Sequence, residues 1–338
     1  MENMKLNIKK LLPLEFKNIP LSQLHDLLEG PTLFHLQGQS EDCVFLSTLL
    51  HGNETSGFLA IQEIFDYISN NPKRSILLFI GNTFAAQQGL RHLDGQPDYN
   101  RIWKGGALPE HNLAGQVIEY VKQYEIFASV DIHNNTGKNP LYGCVNLLQE
   151  TYIKLASLFG SHIVYFTEPH NVLSNTFSQF APSVTIEAGL PGKREGIDAI
   201  KEYVKKVVEL KSFDEIQIPQ GKEVYQSLAR ILVDESAVID YQDNQNFDGD
   251  ISFISNIDER NFHVLPRNTH LGYINDFSKI KVVNSNGEDV TGEYLKKVGG
   301  ELLTNRMFMP SMFTKEIRVV KSDCLGYINE SVEPRFFL

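Results

Sequence analysis

The chain is short of several things, and each shortage removes a class of function. Basic charge is one: 31 Lys and Arg stand against 42 Asp and Glu in 338 residues, a formal net charge of −11. A nucleic-acid surface needs cations to displace counterions from phosphates. A patch for anionic lipid needs them too, so no nucleic-acid or membrane partner is expected. Cysteine is scarce as well. Cys43, Cys144 and Cys324 are odd in number, far apart and without a CxxC pair, which argues against a disulfide framework and against a thiolate zinc site. Cys43 opens an apolar run and reads as a small core residue. No stretch of about 18 apolar residues occurs, so no membrane-spanning helix is expected. The N-terminal segment has lysines but no apolar core of a secretory signal, and a reducing, cytoplasmic setting is the default. The GxSxG nucleophile elbow, the GxxxxGK[ST] phosphate loop and the GxGxxG dinucleotide fingerprint are all missing.

What is present suffices for a folded enzyme-sized chain. Apolar residues make up 42% and charged residues 22%, enough for a substantial core. Through the first two-thirds, short apolar runs alternate with stretches of helical period. Strands are expected over 32–36, 43–50, 76–80, 127–132, 163–166 and 183–187, with helices over 55–68, 113–124, 152–159 and 195–210. Strands alternating with helices predict an α/β fold, a mostly parallel mixed sheet flanked by helices. Beyond Phe213 the texture changes to short runs broken by Asn, Asp and Gly: 227–233, 251–254, 263–265, 280–283 and 317–320. The expectation is an α/β domain over 1–218 and a smaller β-rich domain over 219–338.

Candidate chemistry clusters at strand ends. His51-Gly52-Asn53-Glu54 follows the strand 43–50, and an imidazole and a carboxylate three positions apart on such a turn can meet on one zinc ion. Alone the pair carries little, since chance supplies roughly 0.7 HxxE matches in a chain with this many His and Glu; a polar turn capping the next helix would look the same. His133 is the third candidate ligand, at the end of the strand 127–132. Asp131, two residues back on the same face, can hold its ring. Glu187 ends the strand 183–187. An ionised Glu is rarely buried without a partner, and beside an activated water it could act as general base and then proton donor. His51, His133 and Glu187 all fall at C-terminal strand ends, the edge where open α/β sheets bind ligands.

These residues, with Asp98-Tyr99-Asn100-Arg101, Asp131-Ile132-His133-Asn134-Asn135-Thr136 and Ile186-Glu187-Ala188-Gly189, resemble the signatures of the succinylglutamate desuccinylase/aspartoacylase family of the zinc carboxypeptidase clan. The resemblance spans roughly 30–210. It implies one zinc ion per chain at His51, Glu54 and His133, with Glu187 as general base. It further implies that Asn100 and Arg101 grip a substrate carboxylate, and that Arg91 stabilises the oxyanion. There are departures. The spacing from Arg91 to Asn100 is longer than the family's. The aspartoacylase branch places an arginine shortly before the base, and 173–178 has none. That branch's substrate-binding tyrosine has no clear match in the tail. Lys138, Lys193 and Arg194 are alternative sources of positive charge, read first as solvated surface residues.

The reaction implied is hydrolysis of the amide bond in an N-acyl amino acid. A metallocarboxypeptidase acting on short peptides is the nearest rival. A non-catalytic ligand-binding relative is the rival from another class, and the presence of both Glu54 and Glu187 speaks against it. Either enzymatic reading leaves a homo-oligomer open.

Overall fold

The structure, a computed structural model, describes residues 4–332. It divides into two compact units, and residues 135–140, which the sequence reading places in the first domain, belong to the second.

The first unit is built on a mixed sheet. Its strands are β1 (Asn7–Lys9), β2 (Thr32–Leu36), β3 (Ser40–Thr48), β4 (Arg74–Ile80), β5 (Ile126–His133), β6 (Tyr142–Val145), β7 (His162–Tyr165) and β8 (Ser183–Glu187). Their spatial order is β1-β2-β4-β3-β5-β8-β6-β7. β4, β3, β5 and β8 run parallel through the centre. β2 opposes β4, and β6 opposes β8. All seven residues of β4 and all five of β8 are buried, as strands covered on both faces require. The short strands β1 and β6 carry too few residues to show a period, and the sequence reading does not contain them.

Among the described residues, eight helices accompany this sheet: α1 (Leu24–Leu28), α2 (Ser56–Glu63), α3 (Phe65–Ser69), α4 (Thr83–Gln87), α5 (Pro109–Val121), α6 (Glu150–Ser157), α7 (Leu173–Phe177) and α8 (Arg194–Glu209). The single helix expected over 55–68 is two, α2 and α3, because Ile64 leaves helical geometry at φ −101°, ψ 16°. One face of the sheet, with Leu33, Phe45, Leu77 and Phe79, packs against Leu113, Ala114 and Val117 of α5 and Leu173 and Phe177 of α7. The opposite face receives α2. At their crossing, a Cβ on Gly57 would lie 2.3 Å from Thr48 Oγ1 and 2.9 Å from Ile132. α8 buries Ile197, Ile200, Val204, Val207 and Val208 and exposes its charged side, the stripe expected of an amphipathic surface helix. No described helix is long and apolar enough to cross a membrane.

The second unit is rich in β-structure. An antiparallel set joins β9 (Glu223–Val233), β13 (Ile280–Asn284), β16 (Met309–Ser311) and β17 (Gly326–Ser331), in the order β13-β9-β17-β16. A five-stranded sheet joins β10 (Ile239–Tyr241), β11 (Ile251–Phe253), β12 (His270–Ile274), β14 (Leu295–Val298) and β15 (Glu301–Thr304), in the order β10-β11-β12-β15-β14. Ile231, Ile251, Phe253, Leu271, Ile274 and Ile328 lie in one apolar core. Two expected strands do not occur among the described residues. The run 317–320 lies in a helix, α10 (Ile317–Ser322), following the short α9 (Thr291–Tyr294). Only Val320 of that run is buried, so the β-branched residues have no sheet to fill and local propensity yields to context. The segment 263–265 makes a lone bridge, Leu265 to Phe308, and no strand.

Candidate active site

The candidate site sits at the C-terminal edge of the central parallel strands. β3 is buried and apolar from Cys43 to Leu46 and stays buried through Ser47 and Thr48, after which the chain turns sharply. Leu49 takes a left-handed φ of 56°, unusual for a residue with a side chain. Neighbouring loops hold this turn: the Gly81 N–H donates to the Thr48 carbonyl at 3.0 Å, and the Asn82 N–H donates to the Leu49 carbonyl at 2.7 Å. His51 and Glu54 are thereby carried over the end of the sheet. Gly52 is needed where it stands, because a Cβ there would lie 2.2 Å from the Ala86 backbone nitrogen. Its own N–H donates to the Arg91 carbonyl at 3.1 Å.

His133 arrives from the end of β5. Its Nδ1 lies 2.8 Å from Glu54 Oε2, and His51 Nδ1 lies 2.7 Å from Glu54 Oε1. The two imidazoles lie edge to face, 4.9 Å between ring centroids and 62° between their planes. One ligand atom from each of His51, Glu54 and His133 falls within 4.8 Å of the others, and all three residues are buried. The far nitrogens are held by carboxylates: His51 Nε2 by Asp98 Oδ1 at 2.9 Å and His133 Nε2 by Asp131 Oδ2 at 2.9 Å. With a metal ion bound, a proton on each Nε2 would be held by these carboxylates and each Nδ1 lone pair would be left for the ion, the outer-layer pattern of histidines that ligate metals. The Asn134 backbone N–H donates to Glu54 Oε2 at 3.0 Å.

Sequence gives Asp98 no role beyond its place in the Asp98–Arg101 segment. In the structure it caps a short 3₁₀ turn, Tyr99–Arg101, by accepting the Asn100 N–H at 2.7 Å. Besides His51 it accepts from Arg91, through Nη2 at 3.0 Å and Nε at 3.3 Å. Arg91 Nη1 also reaches Glu54 Oε1 at 3.4 Å. The only sequence signal is an acidic residue just before the turn, and nothing in it points to His51, which lies 47 positions away.

The remaining expected residues fall around this centre. Glu187 ends β8, buried, directly beside His133 in the β5/β8 register and opposite Tyr142 in the β8/β6 register. Asn100 is buried and accepts the Leu173 N–H at 3.0 Å through Oδ1, while its Nδ2 lies 3.3 Å from His133 Nε2. Arg101 donates to the Asn100 carbonyl at 2.9 Å, and its charge helps hold Asp98 ionised. The alternative cations lie elsewhere. Lys138 pairs with Glu259 at 2.6 Å, within the second unit. Arg194 pairs with Glu63 and Asp198 on the exposed side of α8, and Lys193 is exposed.

Electrostatics fit a cation. Burial pushes the Glu54 carboxyl up, but His51 and His133 together outweigh it and hold Glu54 below the usual carboxylate range. Burial likewise opposes ionisation of Asp98, and His51 and Arg91 reverse it. For His133, burial favours the neutral ring, while Asp131 and Glu54 outweigh burial and raise it well above the usual histidine value. Four carboxyl groups, those of Glu54, Asp98, Asp131 and Glu187, gather here with the two guanidiniums of Arg91 and Arg101. The four carboxylates outnumber the two guanidiniums and the charged His133 ring, an excess of negative charge in a largely buried space that a divalent ion would compensate. Two imidazole nitrogens and a carboxylate form a zinc donor set that leaves a position open.

Comparison with known proteins agrees with this fold. A family model described as the succinylglutamate desuccinylase/aspartoacylase catalytic domain matches residues 41–208. The succinylglutamate desuccinylase of Chromobacterium violaceum is similar in structure at 19% identity, covering 88% of this chain and 86% of that one, with a TM-score of 0.56. The succinylglutamate desuccinylase/aspartoacylase of Rhodobacter sphaeroides aligns at 14% identity over 88% of each chain, with a TM-score of 0.59. Murine aminoacylase 3 aligns at 13% identity over 87% of this chain and 96% of its own, with a TM-score of 0.54. No curated protein sequence matches the chain. The matched segment begins within β3, ends within α8 and takes in every side chain that meets at this edge; the chain belongs to the succinylglutamate desuccinylase/aspartoacylase family.

Proposed function

We propose that this protein is a zinc-dependent hydrolase of the amide bond in an N-acyl amino acid, with one zinc ion per chain held by His51 Nδ1, His133 Nδ1 and the Glu54 carboxylate. When bound, zinc supplies Lewis acidity and water activation near neutral pH. Asp98 and Asp131 keep the two imidazoles in the tautomer that presents Nδ1 inward. Glu187 takes the proton given up by the attacking water and returns it to the amine nitrogen as the amide bond breaks, so that the carboxyl ends each cycle ionised. Arg91 stabilises the negative charge that grows on the carbonyl oxygen. Arg101, on the turn that also carries Asn100, pairs with the substrate carboxylate through its planar fork, and Asn100 lines the same place.

The observation that carries this reading is the convergence of His51, Glu54 and His133 at the sheet edge, with Glu187 as the register partner of His133. Family membership supports it, as do the structural similarities to proteins named succinylglutamate desuccinylase and aminoacylase 3. A cytoplasmic setting belongs to the same proposal, supported by three buried cysteines, none of them in a disulfide. The test is Glu187→Gln, assayed on a panel of N-acyl amino acids and dipeptides. The variant should keep its zinc and lose most turnover, by at least about a hundredfold. Near-normal turnover would remove Glu187 from the mechanism, and wild-type activity confined to dipeptides would replace the deacylase reading with a peptidase.

A further inference from the structure

The apolar run of β3 ends in two buried polar residues, Ser47 and Thr48, and Ser47 bonds to a residue that holds a proposed ligand. Ser47 is fully buried in a strand flanked on both sides by parallel neighbours, where Val, Ile or Leu is the usual occupant. A buried hydroxyl is costly there unless it is hydrogen-bonded. Ser47 donates to Asp131 Oδ1, and Asp131 Oδ2 accepts from His133 Nε2 at 2.9 Å. Ser47 and Asp131 are register partners across β3 and β5. The bond therefore links the strand that delivers His51 and Glu54 to the strand that delivers His133. Asp131 is itself fully buried, and among the described residues these two donors are the hydrogen-bond partners of its carboxylate.

Resting on the zinc-hydrolase reading above, we propose that Ser47 is a positioning residue of the metal centre. Its hydroxyl fixes the plane of the Asp131 carboxylate, and through it the orientation of the His133 ring. Without the hydroxyl, one carboxylate oxygen loses its donor in a dry environment. Asp131 is then free to rotate about its side-chain bonds, and the Nδ1 lone pair of His133 is no longer aimed at the place where His51 and Glu54 converge.

A control lies two residues from Asp131, on the same face of β5. Ser129 is also fully buried, and among the described residues its hydroxyl makes no hydrogen bond. The experiment measures zinc affinity of the full-length protein by competition with a chelator, for wild type, Ser47→Ala, Ser47→Thr and Ser129→Ala, alongside the visible absorption of the cobalt-loaded forms. Loss of an outer-layer partner typically weakens metal binding by about 10–100-fold, so Ser47→Ala should weaken it about tenfold and Ser129→Ala by less than about twofold. Ser47→Thr, which keeps the hydroxyl, should recover most of the loss. The cobalt bands should shift in Ser47→Ala and not in Ser129→Ala. Wild-type affinity in Ser47→Ala, or equal weakening in both alanine variants, would overturn the proposal. Should Ser47→Ala fail to fold, Ser47→Cys, a weak donor of similar size, should show intermediate affinity, and wild-type affinity there would overturn it equally. Absence of zinc binding by the wild type would refute the hydrolase reading itself and this inference with it; the comparison among variants refutes this inference alone.

Discussion

Asp98 carries two loads, and two substitutions separate them. Its Oδ1 accepts His51 Nε2 at 2.9 Å and the Asn100 N–H at 2.7 Å, while Oδ2 accepts Arg91 Nη2 at 3.0 Å and Nε at 3.3 Å. Asp98→Asn can keep an oxygen toward His51 and Asn100, but its amide nitrogen then faces the Arg91 guanidinium, donor against donor. Asp98→Ala removes both functions. Outer-layer partners of metal histidines are worth about 10–100-fold in affinity; tenfold is about 1.4 kcal/mol. The alanine variant should bind zinc some 10–100-fold more weakly, or roughly that, whereas the asparagine variant should stay within about tenfold of wild type. Turnover should fall in both. Arg91 loses this acceptor in both, and removal of one oxyanion donor typically costs about 10²–10³ in kcat, so even zinc-saturated Asp98→Asn should fall by about a hundredfold. The assay pairs chelator competition with steady-state kinetics at saturating zinc. Wild-type zinc affinity in Asp98→Ala would refute the claim that Asp98 holds His51, and wild-type kcat in Asp98→Asn would refute the claim that it places Arg91.

Two further outcomes test the scaffold. Arg74 is buried, donates to Asp42 Oδ2 at 2.6 Å and to the carbonyls of Val208, Leu210 and Lys211 at the end of α8, and lies 3.7 Å from the centre of the Phe127 ring. Arg74→Ala takes the donor away from these groups and should cost about 3–5 kcal/mol, lowering the melting temperature by roughly 10 °C; a change below about 1 kcal/mol by denaturant titration would contradict the lock. On the surface, hydrogen bonds from Arg194 and then Lys201 hold the Glu63 carboxyl down at about 2, from the usual 4.5. Because the folded value is the lower one, this contribution is present above pH 4.5 and is lost as pH falls toward 2. Exposure limits it to less than about 1 kcal/mol, so Glu63→Gln should be slightly less stable near neutral pH and indistinguishable from wild type at the acid end of that range by thermal melts.

What can be read before the structure follows physical range. The central strands announce themselves as uninterrupted apolar runs, because burial on both faces removes nearly every polar position. His51, His133 and Glu187 stand out by ending those runs. The β5/β8 register that sets His133 beside Glu187 needs only that both strands finish at the same edge. Asp98 is harder. It lies on a short turn with no period, and its partner His51 stands 47 positions away in the sequence. Ser47 is hidden for a different reason: a serine next to Thr48 at the end of an apolar strand carries no sign of what stands across the rung. The helix at 317–322 reads as a strand from sequence, yet β-branched residues favour extended structure only where a pleated surface waits to receive them.

Metal content decides the central claim most directly. Purified wild-type protein should contain about one zinc per chain by mass spectrometry, and His51→Ala and His133→Ala should each lose both the metal and the hydrolysis of N-acyl amino acids, since a catalytic site with three protein ligands cannot spare one. Zinc that survives both substitutions, or a wild type that binds none, would contradict the account and leave His51, Glu54 and His133 as a buried polar cluster at a sheet edge.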